Sequence, residues 1–224
     1  MAEFRIIGKS FPRFDGPVKA AGETRFLPDI EIPDCWVGGV VRSAVPRGRL
    51  RAVRALDTFD WSRAVLVTKD DIPGENYIAI VRTDYPALAD GEINYATQAA
   101  ALVAAPDEET LKAAMAAVEL DIKPLQHVYA LEDAIAKKEV IWGCDNVIDE
   151  YRTERGDLDK GFAEADLTVE GDWRTGHQEQ LYMETQGMSA RMRPDGGVDV
   201  LGSMQCPFYV LNAVGKILGL PLEK

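Results

Sequence analysis

One capped helix between two strand-like segments constrains the fold of this 224-residue chain most. The segment Pro106–Glu109 predicts a helix start, with Asp107 as the N-cap and an acidic first turn that suits the helix dipole. Strands are predicted before and after this helix, over Ala96–Ala104 and Glu119–Leu125. The helix face that repeats with the 3.6-residue period consists of Leu111, Ala114, Met115 and Val118.

Further short elements come before and after this unit. A short helix is expected over Leu131–Lys137, and residues 4–30, which are rich in turn formers, predict a mostly irregular arm. Several strands with one long helix predict an α+β domain that ends near residue 136. The additional strands are predicted over Trp36–Arg42, Arg49–Leu56, Ala64–Thr68 and Tyr77–Val81.

The rest of the chain predicts a second patterned region after a charge-rich connection over residues 137–156. Asp157 is the expected N-cap of a short helix, and Leu167–Glu170 is expected to begin new strands. A hairpin is predicted around Pro194–Gly197, between strands over 189–193 and 198–201. A final amphipathic helix is expected from Pro207, with Gly219 as its C-terminal stop.

The net charge of −12 and the pI near 4.7 argue against nucleic acid or an anionic membrane surface as a partner. Residues 1–63 nevertheless carry 11 Lys and Arg against 8 Asp and Glu. A solvated surface and an interface with an acidic partner both remain open for the basic cluster. That cluster consists of Arg42, Arg47, Arg49, Arg51 and Arg54.

No apolar run approaches the length of a membrane span, and the N-terminus does not have the pattern of a signal peptide. The three cysteines are far apart and form no CxxC pair, which favours a reducing, cytoplasmic location. The two histidines, His127 and His177, do not predict a metal site by their spacing. We therefore expect no metal ligands in this chain.

Two polar segments are the candidate functional residues. The first, Thr175–Gln186, contains many side chains that can form hydrogen bonds, which fits either a site or a solvated edge or loop. The second, Gly202–Pro207, lies between a predicted strand and a helix start, a frequent ligand position. Gln205 in that segment can donate and accept hydrogen bonds, and either a binding role or a helix-capping role fits it.

These segments and most of the chain resemble the molybdenum-binding large subunit of the xanthine dehydrogenase and aldehyde oxidase family. Residues 176–221 resemble the start of its molybdopterin-binding domain, and the upstream part resembles its a/b hammerhead domain. The segments that carry the resemblance are "GPVKAAGETRFLPDI", "VVRSAVPRGRLRAV", "AVLVTKDDIP", "DEETLKAAMAAVELDIKPL", "LEDAI", "GDLDKGFAEADLTVEG", "HQEQLYMETQGMSA" and "DVLGSMQCPFYVLNAVGKILGLP".

The resemblance implies three parts: residues 1–136 as the hammerhead domain with its arm, 137–156 as a linker, and 157–224 as the N-terminal segment of an incomplete second α+β domain. It also implies oxidative hydroxylation of a purine, another N-heterocycle or an aldehyde by a molybdenum–molybdopterin cofactor. In the family, electrons leave through iron–sulfur clusters to a flavin. Gln205 matches the glutamine that approaches an oxo ligand of the metal, so it is the expected cofactor-binding residue.

The family's glycine-rich pterin segment, catalytic glutamate and substrate-orienting arginine have no counterpart in this sequence. No catalytic residue is therefore expected here, and the chain alone is expected to be inactive and free of cofactor. Its expected partners are the remainder of the molybdenum subunit and the iron–sulfur and FAD subunits. Alone, the chain is expected to expose apolar surface or bury it against a second copy. A non-catalytic assembly module with the hammerhead fold is the alternative.

The predicted linker can be tested by limited proteolysis. Residues 137–156 lie between two patterned regions and are rich in charge, so a protease should cut there first. Mass spectrometry of the earliest fragments identifies the cleavage site. First cleavage within 107–125, inside the predicted strand–helix–strand unit, would contradict the proposed division.

Overall fold

The computed structural model describes residues 5–78, 82–182 and 184–224. Its α-helices are α1 Gly16–Ala20, α2 Glu108–Ala116, α3 Leu131–Ile135, α4 Leu158–Ala163 and α5 Pro207–Leu218. Its strands are β1 Val37–Arg42, β2 Gly48–Ala55, β3 Val65–Val67, β4 Tyr77–Ile78, β5 Tyr85–Pro86, β6 Glu92–Ile93, β7 Ala99–Ala105, β8 Val118–Pro124, β9 Met188–Met192 and β10 Val198–Gly202. Single turns of 3₁₀-helix lie at Leu27–Asp29, Trp61–Arg63 and Lys69–Asp71.

Two three-stranded antiparallel sheets form the centre of the fold, with the strand orders β1-β7-β3 and β6-β2-β8. Helix α2 connects β7 to β8 and packs on β7 and β1. Gly39 in β1 lies directly against the side chains of this helix. A Cβ atom at Gly39 would lie 2.3 Å from Sδ of Met115 and 3.3 Å from Cδ1 of Leu111. The mixture of small sheets and helices confirms the predicted α+β class.

All buried apolar side chains of the described residues lie between Val41 and Ala117. One cluster lies between α2 and the β1-β7-β3 sheet, and a second joins β6 and β7 to β2 and β8. Leu120 contacts both clusters, so the two form one continuous core. The buried members are Val41, Ala64, Ala101, Val103, Ala105, Leu111 and Ala114 in the first cluster and Ala89, Ile93 and Ala100 in the second.

The start of α2 confirms the predicted N-cap. The Asp107 carboxylate accepts hydrogen bonds from the Thr110 backbone N–H at 2.7 Å and from the Thr110 hydroxyl at 2.9 Å. These bonds favour the ionised carboxylate and lower the pKa of Asp107 below its usual value. The helix ends at Ala116, so Val118 begins β8 and does not belong to the helix face.

The second region differs from the first because none of its described apolar side chains is buried. Residues 136–157 and 164–187 contain no described helix or strand. Only the β9–β10 hairpin and the helices α4 and α5 are regular in the described chain after residue 136. In the described part of the chain, none of the helices has the length and hydrophobicity of a membrane span.

The structure corrects several predictions. The expected strand start at Leu167–Glu170 is wrong: this segment is irregular and exposed, because no neighbouring strand among the described residues supplies hydrogen-bonding partners. The short strands β5 and β6 and the helix α1, within the expected arm, were not predicted. Of the strand expected over Tyr77–Val81, β4 covers the first two residues, and residues 79–81 lie outside the described chain.

The basic cluster forms several ion pairs and hydrogen bonds within the chain. Arg47 pairs with Glu139 at 3.0 Å, and Arg54 pairs with Asp121 at 2.7 Å across the β2–β8 ladder. Arg42 donates to the Thr97 carbonyl oxygen at 2.9 Å. These contacts give Arg42, Arg47 and Arg54 structural roles, whereas the side chains of Arg49 and Arg51 are exposed, so an interface with an acidic partner remains open for those two.

The position of the core predicts that two Leu→Ala substitutions lower the free energy of unfolding by very different amounts. Leu111 in α2 is 6% exposed, whereas Leu131 in α3 is 71% exposed. Leu111→Ala should lower the free energy of unfolding by about 3 kcal/mol, because it removes buried methyl groups and leaves a cavity. Leu131→Ala should change it by less than about 0.5 kcal/mol. Urea denaturation measures both, and equal losses would contradict this core.

Candidate functional site

Gln205 lies in the connection between β10 and α5, one residue before the N-cap of the helix. The N-cap residue Cys206 makes no capping bond with its side chain, and Pro207 occupies the first helical position. Pro207 fits there because the first helical residues need no N–H donor. The Gln205 side chain is exposed and makes no hydrogen bond to any described residue. The structure therefore does not use Gln205 as a helix cap.

The two polar segments that the sequence singles out line one open concavity of about 830 Å³. The first segment contributes four polar side chains, and the second contributes Ser203, Met204 and Gln205. The concavity thus combines amide, hydroxyl and carboxylate groups that can bind a polar ligand. Among the described residues, its lining is Gln180, Tyr182, Glu184, Gln186, Met188, Gly202, Ser203, Met204, Gln205 and Val210.

A close backbone contact at Gly202 brings the segments together. The Ser203 backbone N–H donates to the Gly187 carbonyl oxygen at 3.1 Å, which extends the pairing of β9 with β10 by one bond. A Cβ atom at Gly202 would lie 2.4 Å from that carbonyl oxygen and 2.7 Å from Cγ of Met188. Glycine is therefore the residue that permits this approach.

Asp195 stabilises the turn between β9 and β10, at the opposite end of the hairpin from Gly202. Its carboxylate accepts the Gly197 backbone N–H at 3.0 Å and pairs with Lys224 at 3.2 Å. The Gly197 bond first and the Lys224 bond second lower the pKa of Asp195 below its usual value. The turn thus confirms the predicted hairpin and connects it to the residues that follow α5.

The described residues contain no group of three or more His, Cys, Asp or Glu side chains that could hold a metal ion. His127 lies against Tyr129, with the ring centroids 4.5 Å apart. His177 lies in the irregular polar segment and does not line the concavity.

Sequence reasoning missed the contact that holds the far end of α5. The backbone N–H of Gly74 donates to the Ile217 carbonyl oxygen, and that of Glu75 donates to the Lys216 carbonyl oxygen, both at 2.9 Å. In the sequence, Pro73-Gly74 indicates only a turn. No local pattern could have revealed a contact with residues more than 140 positions away.

Two family profiles match the chain. The profile described as "Aldehyde oxidase and xanthine dehydrogenase, a/b hammerhead domain" matches residues 21–126. The profile described as "Molybdopterin cofactor-binding domain" matches residues 143–224, which include Gln205 and the whole concavity. Together the two profiles account for most of the chain in the order that the resemblance implies.

Curated relatives match along nearly the whole chain. The large molybdopterin subunit of nicotinate dehydrogenase from Eubacterium barkeri is 28% identical over 99% of this chain and 53% of its own length. A probable xanthine dehydrogenase component from Bacillus subtilis is 30% identical over 98% of this chain and 30% of its own length. Abscisic-aldehyde oxidase of Arabidopsis thaliana is 32% identical over 97% of this chain and 17% of its own length. The chain thus spans about half or less of these relatives.

Solved structures share the fold. The aldehyde oxidoreductase from Desulfovibrio gigas superposes with a TM-score of 0.78 at 23% identity, over 96% of this chain and 26% of that one. Quinoline 2-oxidoreductase from Pseudomonas putida 86 superposes with a TM-score of 0.75 at 20% identity, over 97% of this chain and 29% of that one. At these identities the superpositions establish the fold.

Proposed function

Because this chain belongs to the xanthine dehydrogenase and aldehyde oxidase family, we propose that it forms the N-terminal part of the molybdenum-binding unit of a hydroxylase. The observation that carries the proposal is the concavity at the start of α5, where the matched polar segments meet. Gln205 leaves its amide free of described protein partners there. We infer that this amide approaches the molybdenum–pterin cofactor in the assembled enzyme.

The groups around the concavity fit such a cofactor. Gln180, Gln186 and Gln205 offer amide N–H donors, and Ser203 offers a hydroxyl, all suited to oxygen and nitrogen atoms of a pterin or an oxo group. When bound, the cofactor supplies the two-electron oxidation of a carbon centre. With the cofactor bound, the Gln205 amide would donate a hydrogen bond to an oxo group of the cofactor and would not coordinate the metal; this bond would orient and polarise the oxo group.

We propose a purine, another N-heterocycle or an aldehyde as the substrate class. The names of the relatives support all three, since they include a xanthine dehydrogenase, a nicotinate dehydrogenase and an aldehyde oxidase. The polar residues that line the concavity are suited to contact a polar substrate as well as a cofactor. We propose that residues of the assembled enzyme outside this chain determine which of the three substrate classes it accepts.

We propose that activity and cofactor binding require assembly with the remainder of the molybdenum-binding unit, and that iron–sulfur and FAD components accept the electrons. The segment over residues 126–187 supports this proposal through the exposure of its described apolar side chains. Large apolar side chains on it are strongly exposed, among them Trp173 at 79% and Leu181 at 81%. Such a surface is typical of a protein–protein contact.

Substitution of Gln205 tests the proposed role in the assembled enzyme. Gln205→Ala should raise the barrier by about 3 kcal/mol and lower kcat roughly a hundredfold, because one preorganised donor is lost. Gln205→Glu should lower kcat further, since a carboxylate repels a negatively polarised oxo ligand. Gln178→Ala is the matched control, because Gln178 is exposed and does not line the concavity.

Turnover and molybdenum content should be measured in parallel for the three variants. Full molybdenum occupancy with reduced turnover in Gln205→Ala supports the assignment. Unchanged turnover at full occupancy would contradict it.

The proposed interface predicts the behaviour of the isolated chain. The exposed apolar side chains of residues 126–187 should bind the dye ANS or drive self-association. Fluorescence titration with ANS and sedimentation velocity at several concentrations measure the two outcomes. A concentration-independent monomer without ANS binding would contradict the interface and favour a self-sufficient assembly module.

A further inference from the structure

We propose that Gly74 is a positioning residue for Gln205, acting through the whole length of α5; this inference rests on the proposed role of Gln205. A helix leaves its last carbonyl groups without intrahelical partners. In α5, Gly219 in the left-handed conformation allows Leu220 N–H to bond the Gly215 carbonyl oxygen at 2.8 Å. The Gly219 N–H bonds the Lys216 carbonyl oxygen at 3.2 Å.

The loop over residues 73–75 supplies further donors to this helix end. Gly74 N–H bonds the Ile217 carbonyl oxygen, and Glu75 N–H adds a second bond to the Lys216 carbonyl oxygen. The C-terminal end of α5 is therefore capped by backbone groups from the first region of the chain. These backbone bonds allow little variation in the position of the helix end.

Only glycine fits at position 74 in this contact. A Cβ atom there would lie 2.0 Å from the Lys216 carbonyl oxygen, 2.7 Å from the Gly219 nitrogen and 2.9 Å from the Ile217 carbonyl oxygen. All three atoms belong to backbone, so no side-chain rotation can relieve the overlap. An alanine therefore forces the loop and the end of α5 apart, and we expect this separation to break the two hydrogen bonds.

The loop itself is anchored to the core by Asn76. Its side-chain amide donates to the Leu88 carbonyl oxygen at 2.7 Å, and its side-chain oxygen accepts the Leu88 N–H at 2.9 Å. Leu88 is buried and adjoins Ala89 of the second core cluster. A continuous path of contacts thus runs from the core through Asn76 and Gly74 to the end of α5.

The position of the C-terminal end of α5 also determines the position of its N-terminal end, which adjoins the concavity. Twelve helical residues span about 18 Å, and Gln205 lies just before the other end. A rigid helix that is shifted or tilted at one end moves the other, and a displacement of about 1 Å at a reacting group can cost roughly a hundredfold in rate. Gly74 therefore contributes to catalysis through geometry, without touching cofactor or substrate.

Two native cysteines allow a direct test in the chain itself. Cys35 precedes β1 and Cys206 adjoins Gln205, and both are exposed. Spin labels on these two residues, in a Cys144→Ser background, report the distance between the first sheet and the start of α5 by pulsed electron resonance. Gly74→Ala should shift or broaden the distance distribution. Gly161→Ala is the control, because a Cβ atom at Gly161 meets no atom within 4 Å.

A second variant and a folding check separate displacement from unfolding. Asn76→Ala removes the anchor without adding an atom at Gly74, and it should broaden the same distribution. Hydrogen exchange should show unchanged protection over residues 101–114 and faster exchange at residues 74–75 and 215–220. An unchanged distance distribution in Gly74→Ala would overturn the proposal, whatever Asn76→Ala shows.

Kinetics of the assembled enzyme then distinguish this inference from the proposed function. Gly74→Ala should lower kcat by roughly tenfold or more with little change in KM, as expected for a misplaced group. A displaced helix with unchanged kcat would overturn the catalytic role of this placement and count against Gln205 as the donor. An unmoved helix would overturn the positioning role alone and leave the proposed function of Gln205 intact.

Discussion

Two backbone hydrogen bonds from Gly74 and Glu75 to the end of α5 hold the site-bearing helix to the folded core. They matter because the region after residue 136 buries none of its described apolar side chains. Hydrophobic burial, the main driving force for order, is concentrated between Val41 and Ala117. The position of the concavity at the start of α5 therefore depends on a few directional contacts, of which this helix cap is the most tightly fitted.

The chain thus combines a part with a buried core and a part whose described side chains are largely exposed. The two sheets and α2 contain the buried core, and the separate loop over residues 73–76, which Asn76 ties to that core, presents two backbone donors to the end of α5. The polar segment over 175–186 has no regular structure among its described residues and contributes its side chains to an open concavity. We propose that assembly covers residues 126–187 and closes this concavity around the cofactor.

Local patterns predicted much of this architecture. The N-cap at Asp107, the hairpin around Pro194–Gly197 and the stop at Gly219 are each encoded by a few adjacent residues, and the structure contains all three. The strand expected from Leu167 failed because a strand also requires a partner, which a local apolar pattern does not specify. Gln205 was singled out by its place between strand and helix together with the family resemblance, whereas the Gly74 contact is long-range and invisible in the sequence.

The central claim is that this chain contributes the Gln205-bearing concavity to a molybdenum hydroxylase. The most direct measurement is the molybdenum and pterin content of the assembly purified from its own host through a tag on this chain, compared with the chain produced alone. The account predicts equimolar molybdenum and pterin in the assembly and neither in the isolated chain. A stable assembly that contains this chain but neither molybdenum nor pterin would contradict it.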